Sequence, residues 1–167
     1  MSFQAKRRAD YQPPAFSIAT VDLHITLHPT QTKVISTLSV TRNGAHDSPL
    51  VLDGDNLSLD SISINGTHLS DNEYTVTDSA LSVVTELDEF VLEITNTIAP
   101  EHNKALEGLY LSGGAYCTQC EAEGFRRITY FMDRPDVLSV YTVTVVADKS
   151  VPMLLANGNP VDKGEVD

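Results

Sequence analysis

The sequence predicts an all-β fold: an antiparallel β-sandwich or one large bent, saddle-like sheet, in a single domain. Three observations lead there. Apolar residues recur with a period of two, turn signals return about every 8 to 12 residues, and no segment carries the apolar spacing of an amphipathic helix.

In chain order, Val21, Leu23, Ile25 and Leu27 alternate with Asp22, His24, Thr26 and His28, the pattern of a strand with one buried face. Val34, Ser36, Leu38 and Val40 repeat it and end at the Asn43-Gly44 turn. Short strands follow at Leu50 with Leu52, Leu57 with Leu59, and Ile62 with Ile64, with Asp53-Gly54 marking a turn. Asn65-Gly66 predicts a two-residue hairpin into His68 and Leu69, because both central positions of a type I′ turn need positive φ. Tyr74 with Val76, Leu81 with Val83, and Phe90, Leu92 and Ile94 continue the series. A single helical turn is expected over residues 104–110. A capped one is expected at 133–136, where Pro135 suits a first turn. Strands are expected over 125–132 and over 140–147, the latter rich in Val, Thr and Tyr. Residues 153–156 and Asn157-Gly158 begin a further hairpin whose return strand, around 164–167, stops short, so the chain is expected to be cut from a larger protein.

A chain of 167 residues, 41% hydrophobic, is able to bury roughly 70% of its unfolded surface. The formal charge is 11 − 23 = −12, and no basic stripe is present, which excludes non-specific nucleic-acid binding. Lys6, Arg7 and Arg8 resemble the start of a signal peptide, but no apolar run follows them. No window approaches the roughly 18 apolar residues of a membrane span. The expectation is a soluble, cytoplasmic chain without a membrane partner.

Candidate chemistry concentrates in residues 103–137. Cys117 and Cys120 lack the second ligand pair that a zinc knuckle needs. A redox pair is disfavoured because Glu121 and Glu123 raise thiol pKa values and Gly124 interrupts any helix start; two reduced thiols in a packed loop are expected. His24 and His28 have the spacing of a zinc-protease pair, but Ile25 stands where the general base belongs. On a strand, moreover, residues four apart lie about 13 Å apart, while zinc takes its nitrogens at about 2 Å. No metal site is expected in this chain, and no G-x-S-x-G elbow or other nucleophile signature is present.

Gly113 and Gly114 allow a sharp reversal, and Gly124 allows another before the expected 125–132 strand. Between them Gln119, Glu121 and Glu123 are expected on one face of an extended segment. One amide oxygen and converging carboxylates suit a primary ammonium, which offers three donors and a positive charge. An acidic loop lying wholly in solvent explains the same residues, and spacing alone leaves both readings open.

The runs E-G-L-Y at 107–110, C-T-Q-C-E-A-E-G-F-R at 117–126 and D-R-P-D at 133–136 resemble, in order and spacing, the bacterial-type aminopeptidase N family of zinc-dependent, gluzincin-like enzymes. The resemblance implies that residues 1–167 are the amino-terminal β domain of a zinc metallo-aminopeptidase that removes N-terminal amino acids from peptides. It implies that Gln119 and Glu121 bind the substrate's α-amino group. Glu123, Arg126, Arg127 and Arg134 also match family positions, and the arginines are expected to pair with Glu107, Glu123, Asp133 or Asp136. The family's H-E-x-x-H motif is absent, so the zinc and the catalytic residues are expected outside this chain, which by itself binds no metal and is inactive. The implied partners are peptides with a free amino terminus and the protein's own catalytic domain in cis. Two other readings remain: a stand-alone β-sandwich binding module for a different amine, and a structural interaction domain without catalysis.

Overall fold

The computed structural model describes residues 7–166. Eleven strands follow one another: β1 (Phe16–Thr26), β2 (Thr32–Arg42), β3 (Leu50–Asp53), β4 (Ser58–Ile64), β5 (Thr67–His68), β6 (Tyr74–Val76), β7 (Ala80–Val83), β8 (Glu89–Ile98), β9 (Gly108–Ser112), β10 (Ala115–Gln119) and β11 (Val140–Val146). Among the described residues the only helical segments are short 3-10 turns, at Arg8–Asp10, Pro100–His102 and Phe125–Arg127. The strands form a six-stranded sheet in the order β11-β1-β2-β8-β4-β5, a three-stranded sheet β3-β7-β6 and the β9–β10 hairpin. The domain is therefore all-β, as the period-two pattern requires.

Alternation explains the core. Val34 and Leu38 of β2, Leu92 and Ile94 of β8, Leu50 and Leu52 of β3, and Leu81 and Val83 of β7 are all fully buried in one apolar cluster. Burying a residue of this size stabilises the fold by roughly 1.5–3 kcal/mol. Two bulges conceal part of the pattern from the sequence. In β1 the register shifts between Ile18 and Thr20, so the strand starts at Phe16, ahead of the Val21 start that strict alternation suggests. In β4 it shifts between Leu59 and Ser61, which joins the two expected short strands into one. Asn65 and Gly66, at φ 50° and 78°, make the expected turn of positive φ between β4 and β5.

Four expectations are corrected. The large sheet is mixed, because β11 runs parallel to β1 at its edge, with Val21 opposite Tyr141 and Ile25 opposite Val145. Residues 125–132 form no strand: after the Phe125–Arg127 turn, residues 128–132 are buried one after another, and only Phe131 bridges to Asp53. Residues 104–110 form no helical turn, because Leu106 has φ 59° and β9 begins at Gly108. The turn expected at 133–136 does form, one residue further on, with Val137 N–H donating to Arg134 O at 3.2 Å, and it continues into no helix. Within the described residues the expected terminal hairpin from residue 153 onward is also not formed; Asp167, at its end, lies outside them.

Candidate functional site

The site is built around the β9–β10 hairpin. Upstream, the Asn103 side chain shapes the approach: its Nδ2 donates to Glu107 O at 2.7 Å and Leu109 O at 2.9 Å, while its Oδ1 accepts from Ala105 N at 3.1 Å. Gly113 and Gly114, at φ 58° and 84°, reverse the chain, and β10 pairs back until Gln119 lies opposite Gly108. At Gln119 the extended backbone ends. Gly124 N–H donates to Cys120 O at 2.8 Å, closing residues 120–124 into a turn; the Glu121–Ala122 peptide bond is cis.

Gly108 and Gly124 make this fold-back possible. Gly108 has φ +70°, and a Cβ on it would stand 2.6 Å from Arg127 Cβ and 3.1 Å from Gly124 O. A Cβ on Gly124 would run into Gln119 O and stand 2.9 Å from Cys120 Cα. The turn thus lies directly against the base of the hairpin.

The expected shared face of Gln119, Glu121 and Glu123 does not exist, because only Gln119 belongs to an extended segment. The turn brings two of the three together and diverts the third. Gln119 Nε2 donates to the main-chain O of Glu121 at 3.2 Å, and among the described residues no hydrogen bond engages its Oε1. Glu123 points instead to Arg126, with Oε2 3.6 Å from Nη2. Gln119 and Glu121 are both exposed. A cleft of about 900 Å³ opens on the Arg126 side, lined among others by Tyr11, Val51, Asp53, Glu123, Arg126 and Arg134; Gln119 and Glu121 stand outside it.

The charges around the turn are sorted by three arginines. Arg126 Nε donates to Asp133 Oδ2 at 3.0 Å and its Nη2 to Asp133 O at 3.0 Å; its Nη1 lies 3.5 Å from Asp53 Oδ1. Burial opposes its charge, but the Asp133 hydrogen bond and the neighbouring Asp53 and Glu123 outweigh that, and its pKa rises. Arg127 pairs with Asp55 at 2.6 Å and Glu107 at 3.3 Å. Arg134 pairs with Asp136 at 2.6 Å. The pairing of these arginines with Glu107, Glu123, Asp133 and Asp136 is as the sequence predicts. Asp53 and Asp55 are the members it misses. Asp53 meets Asp133 across 80 residues of sequence, its Oδ2 accepting from Asp133 N at 3.0 Å. Two aspartates flanking Gly54, matched in number by two adjacent arginines, were the only signal.

Among the described residues, every carboxylate just named has an arginine partner, and Glu121 has none. The surface beside Gln119 therefore presents one neutral acceptor and one uncompensated negative charge, a pair suited to a cationic N–H donor. Cys117 and Cys120 are free thiols. Burial first, and then the Asp133 charge, push the Cys120 thiol up, which disfavours the reactive thiolate. The sequence assigned that effect to Glu121 and Glu123; the responsible neighbour is Asp133. No group of three or more His, Cys, Asp or Glu among the described residues is placed to hold a metal ion. No helix among them is long and apolar enough to cross a membrane.

Fold and site together define an all-β domain that carries a turn-borne carboxylate beside a strand-end amide. The chain belongs to the peptidase M1 N-terminal domain family, whose sequence profile matches residues 10–167. It is similar to aminopeptidase N of Caulobacter vibrioides, 54% identical over 164 residues that cover 98% of this chain and 19% of that protein. Aminopeptidase N of Escherichia coli is 46% identical over 168 residues, again covering 98% of this chain and 19% of the relative. The chain thus spans about one fifth of the length of these curated relatives. Among solved structures, Legionella pneumophila aminopeptidase A in complex with aspartic acid superposes with a TM-score of 0.88 at 34% identity, over 96% of this chain and 19% of that one. An M1 zinc metallopeptidase from Deinococcus radiodurans shares the fold, with a TM-score of 0.68 at 21% identity over 81% of this chain and 33% of its own.

Proposed function

We propose that residues 1–167 are the amino-terminal domain of a zinc metallo-aminopeptidase that removes N-terminal amino acids from peptides, and that Gln119 and Glu121 bind the α-amino group of the substrate. The observation that carries this reading is the uncompensated Glu121 carboxylate, set beside an amide whose nitrogen is already committed. An α-ammonium group offers three N–H donors and one positive charge. Glu121 accepts from it and neutralises it, and Gln119 Oε1 accepts a second N–H. Holding the amino terminus at a set distance from the scissile bond makes an exopeptidase out of general peptide hydrolysis.

The zinc and the groups that activate water belong, on this reading, to a catalytic domain in cis. The described residues of this chain do not themselves fit a zinc site, and none of its residues is assigned a step at the metal. With the catalytic domain removed, the chain alone is expected to show no peptidase activity on an aminoacyl chromogenic substrate. A cytoplasmic location accords with the two free thiols.

The test is steady-state kinetics of the full-length enzyme on an aminoacyl chromogenic substrate. Removing a carboxylate that faces a desolvated cation costs about 2–5 kcal/mol. At about 1.4 kcal/mol per tenfold, Glu121→Ala lowers kcat/KM by roughly 30-fold to several thousand-fold. Gln119→Ala removes a neutral acceptor worth about 0.5–1.5 kcal/mol and costs correspondingly less. A Glu121→Ala enzyme with near-normal kcat/KM would return this turn to an acidic surface loop.

A further inference from the structure

We infer that Arg126, pinned by Asp133 and Asp53, is a positioning residue that holds the Glu121 carboxylate where it meets the substrate's amino group. This rests on the reading of Glu121 given above. The turn that carries Glu121 is stitched internally by the Gly124 N–H to Cys120 O bond, and it leads straight into the Phe125–Arg127 turn. What fixes its far end is the anchorage of Arg126. The backbone N–H of Arg126 donates to Asp133 Oδ2 at 3.1 Å, and its Nε donates to the same oxygen at 3.0 Å. Its carbonyl accepts from Asp55 N at 3.0 Å. Main chain and side chain of one residue are thus held by the same two segments.

Those segments are tied to the core. Asp53 ends β3 and exchanges backbone hydrogen bonds with Phe131, Asp53 N to Phe131 O at 2.8 Å and Phe131 N to Asp53 O at 3.1 Å. Phe131 and Met132 belong to the buried core. The Asp53 carboxylate then spans the gap, one oxygen on Asp133 N and the other 3.5 Å from Arg126 Nη1. Arg126 in turn reaches toward the Glu121 turn through Glu123. A path of hydrogen bonds, closed by the Arg126–Glu123 ion pair at 3.6 Å, therefore runs from the core to within two residues of Glu121. A planar guanidinium with five N–H donors serves this geometry, because it contacts three carboxylates at once; an ammonium on a flexible stem does not.

A misplacement of about 1 Å at a substrate-positioning group costs on the order of 100-fold. Arg126→Ala in the full-length zinc enzyme is therefore expected to raise KM for an aminoacyl chromogenic substrate roughly 10- to 100-fold, with kcat changed far less, because the ammonium contact is made in ground and transition states alike. In a Glu121→Ala background the same substitution is expected to change kcat/KM by no more than about twofold, since two residues acting through one contact do not add. Arg126→Lys keeps the charge without the fork and falls between; should Arg126→Ala fail to fold, the same cycle with Arg126→Lys decides. An equal effect of the Arg126 substitution in both backgrounds overturns the proposal, for Arg126 then acts apart from Glu121. A fall in kcat at unchanged KM also overturns it, because loss of folded enzyme alone produces that pattern. If Glu121→Ala by itself leaves kcat/KM untouched, the amino-group reading fails first and the proposal with it.

Discussion

Asp136 shows how strongly one side chain in this domain is held. Arg134 Nε donates to Oδ1 at 2.8 Å and Nη2 to Oδ2 at 2.6 Å, and the Tyr11 hydroxyl donates to Oδ2 at 3.0 Å. The Arg134 hydrogen bonds, joined by the weaker Tyr11 bond, outweigh the opposing effect of burial and bring the Asp136 carboxyl from its ordinary 3.8 to about 2. A carboxyl depressed in the folded state adds stability that is fully present above its ordinary value and is lost as pH falls through the folded one. The tether of the Tyr11 segment is therefore expected to persist at pH 4 and to release near pH 2, which NMR titration of the Asp136 carboxyl and the Tyr11 ring would follow. The converse holds at the other end of the scale. The Asp136 hydrogen bond raises the Tyr11 phenol above its ordinary 10, so its contribution is present below pH 10 and lost as pH rises through the folded value. Asp136→Asn is expected to return the Tyr11 titration toward the ordinary value; an unchanged ultraviolet titration would show that the bond does not form in solution.

At the scale of elements, the hairpin and its following turn depend on backbone approaching backbone. Gly124 has no room for a side chain, because a Cβ there meets the carbonyl of Gln119 and the Cα of Cys120. Neither is the far end of a flexible side chain, so relief requires β10 and the turn to separate. Overpacking of this kind costs about 1–3 kcal/mol, and Gly124→Ala is expected to lower the denaturant midpoint without changing the slope, measurable by urea unfolding. Gly113 and Gly114, with open space beside them, are constrained by φ alone. The contrast separates two uses of glycine that look identical in sequence: one permits a dihedral, the other permits contact. Further along, Ile128 to Met132 escape strand formation because their surroundings satisfy them irregularly. Asn96 Nδ2 donates to Ile128 O at 3.0 Å, and Ser36 and Thr129 share a buried hydroxyl bond of 3.0 Å.

For the whole molecule the notable feature is β11. It pairs with β1 on one side only, and the described residues place no strand on its other side. Its seven residues, VYTVTVV, carry no charge, and Val140 and Tyr141 are 72% and 44% exposed. Long, uncharged, exposed edge strands pair with one another unless a charge or bulge prevents it. The net charge of −12 opposes association, but at physiological salt it is screened over about 8 Å, whereas strand pairing acts at contact. The 167-residue chain is therefore expected to self-associate through β11, and Val143→Lys to return it to a monomer; sedimentation velocity would show this, and a monomeric parent chain at high concentration would refute it. The sequence by itself determined the alternating strands β1 to β8 and β11 in outline, the buried faces of β2, β3, β7 and β8, and the Asn65-Gly66 and Gly113-Gly114 reversals, because alternation and turn chemistry act between residues a few positions apart. It also put Gln119, Glu121 and Glu123 forward together, the family resemblance singling out the first two, and matched the arginines to acids within their own segment. Tertiary structure alone decided that Asp53 and Asp55 complete the arginine cluster, that β11 runs parallel to β1, and that bulges shift the register of β1 after Ile18 and of β4 after Leu59. Each of those outcomes depends on which distant surfaces pack together, and a partner 80 residues away leaves no mark in the local spacing.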